Sequence, residues 1–128
     1  MAKPLKIIVV DDQADLAECT GKLLRLHGHQ VSIFYTAQAV LDALDTLKPN
    51  LILADIRMPH IDGCELAARV RRRPDCENVI LAALTGLGDD ESRRAAIDAG
   101  FDYRFVKPMH PDDLQQFMEE VAKRGVDR

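Results

Sequence analysis

Five short apolar runs, each followed by a stretch of helical period, limit what this chain can fold into more than any other feature. LKIIVV (5–10), QVSIFY (30–35), LILA (51–54), VILAAL (79–84) and RFV (104–106) are rich in β-branched or aromatic residues and read as strands. Between them the period changes. Leu16, Cys19, Leu23 and Leu24 share one helical face that stops near Gly28. Ala37, Val40, Leu41, Leu44 and Leu47 form the next, with Thr36 as N-cap and Pro49 past the end. Leu66, Ala67 and Val70 mark a third, closed by Pro74. Residues 89–99 make a polar helix with an alanine stripe ended by Gly100. Leu114, Phe117, Met118 and Val121 make the last, entered through Pro111. Strands alternating with helices imply an α/β fold: a parallel sheet with helices on both faces, a three-layer αβα sandwich. The uniform apolarity of the strands fits a sheet covered on both sides.

No repeat, low-complexity segment or linker interrupts the pattern, so 128 residues read as one domain over 1–128, with a core at 5–122 and a short tail at 123–128. A net charge of -4 offers no electrostatic support for direct nucleic-acid binding. No apolar run approaches the roughly 20 residues that span a bilayer, and MAKPLKIIVV lacks the cleavage site of a signal peptide. Cys19, Cys64 and Cys76 are neither an even set nor a CxxC pair, which reads as reduced thiols. A cytoplasmic location is expected.

In open α/β sheets ligands sit outside the carboxyl ends of the strands, where strand order reverses. Here those ends carry chemistry. Strand 1 ends at Asp11 and Asp12, strand 3 at Asp55, strand 4 at Thr85 and strand 5 at Lys107, whereas strand 2 offers only Tyr35 and Thr36. Any one of these has a plain reading: a helix cap for Asp11 and Asp12, a turn residue before Met58-Pro59 for Asp55, a cap for Thr85, a surface lysine for Lys107. Their convergence on one rim is the informative signal. Two carboxylates about 4 Å apart repel by about 4 kcal/mol at an effective dielectric near 20. One lysine cannot balance three acids, and hard oxygen ligands without His or Cys suit Mg2+ or Mn2+ rather than Zn2+. His27, His29, His60 and His110 share no face or ligand spacing, and RVRRRPD (69–75) reads as a solvated helix end.

The segments VVDDQ, LILADIRMPHIDG, LTG and FVKP, in this order and spacing, resemble the receiver domain of two-component response regulators, over residues 5–122. The resemblance implies a doubly wound (βα)5 sheet in the flavodoxin-like order 2-1-3-4-5. It implies that Asp55 accepts a phosphoryl group from a phosphohistidine on a sensor histidine kinase or a histidine phosphotransfer protein. Asp12 would bind Mg2+ directly, and Asp11 through water or in a shared role. The backbone carbonyl of Arg57 would add a ligand. Thr85 would hydrogen-bond a phosphoryl oxygen, Lys107 would pair with the modified aspartate, and Lys107-Pro108 would be a cis peptide. Phosphorylation would switch the surface of helix 4, strand 5 and helix 5, read by a downstream protein or by an output domain of a larger parent chain, with homodimerisation left open. The chain would be no enzyme beyond self-catalysed phosphotransfer and autodephosphorylation. The physics agrees: phosphoryl transfer needs positioning and charge compensation rather than many side chains.

Three departures from the usual pattern, over four residues, stand out. Arg104 stands where relatives carry an aromatic switch residue, between Tyr103 and Phe105; it is expected to lie exposed on the output face, touching a partner or an acid of helix 4. Gly86 follows Thr85 where alanine is common and should leave space beside the phosphoryl site. Arg57 and Leu87 flank that site and are expected to tune autodephosphorylation. Competing readings are a receiver that is never phosphorylated and serves as a scaffold, an aspartyl-phosphate phosphatase, and a flavodoxin-like cofactor binder. The phosphatase wants an acid two residues after its nucleophile, where Arg57 stands. The flavodoxin-like binder wants a Ser/Thr/Gly-rich phosphate loop where DDQADLA is acidic.

Overall fold

A computed structural model describes residues 4–86, 90–107 and 110–126. In chain order the elements are β1 (Lys6–Val10), α1 (Ala14–Leu26), β2 (Gln30–Phe34), α2 (Ala37–Leu47), β3 (Leu51–Asp55) and α3 (Gly63–Arg71). A 3-10 turn (Pro74–Cys76) leads to β4 (Ile80–Thr85), α4 (Asp90–Ala99), β5 (Tyr103–Val106) and α5 (Pro111–Val126). All four strand pairings are parallel and the order is β2-β1-β3-β4-β5, the doubly wound arrangement expected. After β2 the chain crosses back to the other side of β1, so order reverses between β1 and β3 and opens a crevice at their carboxyl ends.

Alternation along the central strands divides the core into two layers. Ile8, Val10, Ile52, Ala54 and Leu81 face Val40 and Leu44 of α2 and Leu66 and Val70 of α3. Ile7, Val9, Leu51, Leu53, Ile80 and Ala82 face Ala17 and Leu24 of α1 and Leu114, Phe117 and Val121 of α5. A small cluster of Ile56, Ala83 and Ala96 seats α4. Burial on both faces explains why β1, β3 and β4 are continuous apolar runs, while the edge strands β2 and β5 are only partly buried.

Local signals place most helix ends. Thr36 Oγ accepts from the Ala39 amide at 3.2 Å and Asp62 caps α3 through the Glu65 amide at 2.8 Å. Pro111 stands at the first position of α5, and Gly100 ends α4 with φ 104°.

Three expectations need correction. The buried face of α1 is Ala17, Gly21 and Leu24, and Cys19 is exposed. Small residues set this rotation: a Cβ on Gly21 would fall 2.6 Å from Ile33 Cδ1, so the helix lies against β2 through its least bulky side. Pro74 follows the end of α3 as expected, and it opens the 3-10 turn. α5 continues past residue 122 to Val126. RVRRRPD is not a set of free charges: Arg73 pairs with Asp45 and, at 3.7 Å, with Asp75, Arg69 with Glu65, and Arg71 with Asp102. Among the described residues, no helix is long and apolar enough to cross a membrane.

Leu53 is fully buried in the central strand β3. Leu53→Ala should lower unfolding stability by about 3 kcal/mol through lost transfer energy and an unfilled cavity. Urea denaturation checks this; a loss below about 1 kcal/mol would mean the sheet centre is not packed as described.

Candidate functional site

The rim where the strand order reverses gathers the charged strand ends. Asp11 follows β1 directly, and its amide continues the ladder to the Phe34 carbonyl at 3.2 Å. That fixes its side chain, which is buried. Oδ1 accepts from the Gln13 amide at 2.9 Å and Oδ2 from Lys107 Nζ at 3.2 Å. Asp11 therefore both shapes the turn into α1 and points a carboxylate at the rim. Asp12, the next residue, is exposed. Asp55 is the last residue of β3 and 4% exposed. Its Oδ1 accepts from the Arg57 amide at 3.3 Å and lies 3.2 Å from Lys107 Nζ. Asp11, Asp12 and Asp55 each offer a carboxylate oxygen within 4.8 Å of the others. Lys107 follows β5; its amide donates to the Thr85 carbonyl at 2.8 Å, which sets the direction of the side chain.

This proximity has an electrostatic cost. Burial first, and the Asp11 charge second, push the Asp55 carboxyl up to about 6, against the opposing pull of Lys107 and the Arg57 amide. Burial alone would lower Lys107, but the carboxylates of Asp55 and Asp11 outweigh it and hold the ammonium above its ordinary value. Three carboxylates against one ammonium leave two negative charges at the rim. An all-oxygen donor set, excess negative charge and one exposed member open to solvent fit a hydrated Mg2+ or Mn2+.

The remaining expected residues fall as follows. Thr85 ends β4, is buried, and donates its hydroxyl to the Phe105 carbonyl at 3.3 Å. Gly86 is exposed, and a Cβ there would meet nothing within 4 Å, in keeping with the expected space. Arg57 is exposed beside the acids. Arg104 is partly exposed, opposite Ala83 in the ladder, with neither an acid of α4 nor another partner among the described residues. Phe105 is partly buried and packs its ring 4.8 Å from that of Phe117 on the α5 side. Leu87 and Pro108 lie outside the described residues. His29 is structural, accepting from the Leu5 amide at 3.1 Å.

One positioning residue was not foreseen. Gly63 begins α3, and its amide donates to the Ile56 carbonyl at 2.8 Å. A Cβ there would sit 2.4 Å from the Asp55 carbonyl oxygen and 2.8 Å from Ile56 Cα. Only glycine lets the start of α3 press on the backbone that carries Asp55. The Asp-Gly pair in PHIDG was the available signal, since it marks a turn entering a helix. Beside it a groove of about 490 Å3, lined by Asp12, Ile56, Arg57, Met58 and Ala95, opens next to the acids.

Gly63→Ala should therefore displace the end of β3, lowering stability by about 1–3 kcal/mol and weakening divalent-ion binding; unchanged values on both would overturn the steric account. With divalent ions chelated, Asp55 also predicts a pH dependence. Its folded pKa is raised, so its contribution favours folding at low pH and is lost as pH rises from about 4 through about 6. Asp55→Asn removes that loss and should be more stable than wild type at pH 7, by roughly 1–3 kcal/mol, with little difference at pH 4. Thermal unfolding against pH decides; an Asp55→Asn protein less stable at pH 7 would contradict the electrostatics.

Comparison with known proteins gives the family and the fold. The family model described as the response regulator receiver domain matches residues 7–119. An uncharacterised 14.6 kDa protein of Leptolyngbya boryana is 34% identical over 118 residues, 92% of this chain and 90% of that protein. The response regulator MprA of Mycolicibacterium vanbaalenii is 28% identical over 94% of this chain, which spans only 52% of MprA's length. A crystal structure of a CheY-like receiver domain protein from Methanospirillum hungatei superposes with a TM-score of 0.87 at 26% identity, covering 98% of this chain and 100% of that one. With a family model matched over most of its length and a fold shared with a solved receiver domain, the chain belongs to the receiver domains of two-component response regulators.

Proposed function

We propose that Asp55 is the phosphoacceptor of this chain, working as a single receiver unit in the cytoplasm. The observation that carries the reading is the placement of the Asp55 carboxylate, buried at a strand end, with Asp11, Asp12 and Lys107 all in reach of its oxygens. In the transfer, an Asp55 oxygen forms a bond to phosphorus as the P–N bond to a partner's imidazole breaks, and the electron pair returns to that nitrogen. The partner is a sensor histidine kinase or a histidine phosphotransfer protein. Asp11, Asp12, Asp55 and the Arg57 carbonyl would hold a Mg2+ ion, which would supply charge neutralisation for the acids and the incoming phosphoryl group.

The chain's own residues do the rest. Lys107, already 3.2 Å from Asp55, offers its ammonium to charge developing on that carboxylate and on the phosphoryl oxygens. Asp11 holds Lys107 from the other side and keeps it at the rim. The Thr85 hydroxyl has to leave the Phe105 carbonyl to reach a phosphoryl oxygen, which draws the end of β4 inward and supplies a two-state element. Gly86, unobstructed, lets the chain after Thr85 follow. Arg57 and Leu87 tune the lifetime of the modified state.

Output passes through the face of α4, β5 and α5, where Ile97 is 63% and Val106 48% exposed and Arg104 presents a guanidinium. The reader is a downstream protein, an output domain of a parent chain, or a second copy.

Incubation with acetyl phosphate and Mg2+, followed by intact mass spectrometry, tests the assignment. One phosphoryl adduct is expected, absent from Asp55→Asn and formed at least about tenfold more slowly when Mg2+ is chelated. An adduct that survives Asp55→Asn would overturn the assignment. No adduct with any competent donor would leave the scaffold reading in its place.

A further inference from the structure

β2 is the last strand on its side of the sheet, and a side chain closes its outer edge. The Gln30 amide donates to the Leu5 carbonyl at 2.9 Å, and the Asp11 amide to the Phe34 carbonyl at 3.2 Å. With the parallel register Ile7↔Val31 and Ile8↔Ser32, these bonds turn the main-chain groups of Gln30, Ser32 and Phe34 toward β1. The main-chain groups of Val31 and Ile33 therefore point outward. Arg25, exposed in the last turn of α1, reaches this edge, and its Nη2 donates to the Val31 carbonyl at 2.9 Å. The Val31 amide and both main-chain groups of Ile33 have no partner among the described residues. An open edge of this kind is a template for another strand, and QVSIF carries neither a charge nor a proline to prevent it. The guard comes from the neighbouring helix instead.

The edge is complementary to itself. A two-fold axis through Ser32, normal to the sheet, sets β2 antiparallel to the β2 of a second copy, with Val31 of each chain opposite Ile33 of the other. Both positions face outward, so each such pair exchanges two main-chain hydrogen bonds. One bond of each pair falls on a Val31 carbonyl, the group that Arg25 occupies. The charges beside the edge suit the same pairing. Along a groove of about 630 Å3 that reaches Ile33, α1 presents Asp15 and Glu18 in its first half and Lys22 in its second. Antiparallel pairing turns the acidic half of one helix toward the basic half of the other. Such a contact uses one patch on both chains and closes at two copies.

We infer that the Arg25–Val31 bond is an autoinhibitory contact: it holds the chain apart from a second copy of itself, whose β2 edge is the partner this surface fits. While Nη2 occupies the Val31 carbonyl, one bond of each exchanged pair is lost and the guanidinium stands where the incoming strand would lie. Release of Arg25 frees the carbonyl, and two five-stranded sheets join edge to edge. β5 lies at the opposite edge, so pairing through β2 leaves it uncovered. The inference is independent of the phosphoacceptor reading of Asp55.

Sedimentation velocity over a concentration series tests this on the whole chain, with Arg25→Met and Arg25→Ala compared against wild type. Position 25 is exposed, so both variants should fold. Each should dimerise at least about tenfold more tightly than wild type, because a dimer regains an acceptor on both chains. Agreement between the two separates the lost donor from added apolar surface, and association of Arg25→Met alone would overturn the lock. Amide exchange followed residue by residue by NMR locates the contact. In wild type, Val31 and Ile33 should exchange fast while Ser32 and Phe34 exchange slowly. In the variant dimers the Val31 and Ile33 amides should slow by about tenfold or more. Variants as monomeric as wild type would overturn the inference. So would a dimer that leaves Val31 and Ile33 fast, since the chains would then meet elsewhere, or a wild type already paired through β2.

Discussion

The electrostatic conflict at one sheet edge is the constraint around which this molecule is organised. Asp11 and Asp55 are nearly inaccessible to water and share a single ammonium, Lys107, at 3.2 Å from each. Burying two carboxylates against one cation is unfavourable, and the raised pKa of Asp55 is its direct expression. A core arranged only for stability would avoid it. The cluster persists because the parallel strands around it are over-determined by apolar burial on both faces, with Leu51, Ile52 and Leu53 of β3 fully buried. The sheet supplies the stability that the rim gives up, and the conflict leaves the rim ready for positive charge or for a group that brings its own charge compensation.

The same packing gives the rim its precision. Asp55 is fixed from two directions: the strand pairing with β4 from one side and the start of α3 from the other, where Gly63 permits backbone contact that no other residue allows. Lys107 is aimed by a main-chain hydrogen bond to Thr85, so the cation and the hydroxyl share one ladder rung. Thr85 is bonded to a backbone carbonyl rather than to the acids, which leaves one rearrangement to be made when charge arrives. Rigidity at Asp55 and latitude at Thr85 and Gly86 divide the site into a fixed half and a responsive half.

Much of this was legible in the residues themselves, and the reason is physical. Period changes from two to 3.6 placed all five strands and five helices, and reading the last residue of each strand picked out Asp11, Asp12, Asp55, Thr85 and Lys107, because parallel topology brings those ends together whatever the loops do. What escaped is what depends on side-chain reach or on missing atoms. The rotation of α1 followed from Gly21 against Ile33, a contact between residues that hydrophobic period cannot pair. Gly63 matters through the Cβ it lacks. Arg71 and Arg73 read as solvated charges because their partners, Asp102 and Asp45, lie 31 and 28 residues away in the chain. Arg104 was expected to be exposed, meeting a partner or an acid of α4, and it is partly exposed.

The central claim is that carboxylates from two separate strands act together on a single ion. Electron paramagnetic resonance of a Mn2+ titration measures this directly on the unmodified chain. One ion should bind per chain, and Asp11→Asn, Asp12→Asn and Asp55→Asn should each weaken it by about tenfold or more, since each removes a charge from the same cluster. A stoichiometry other than one, or an Asp55→Asn chain that binds as tightly as wild type, would contradict the account.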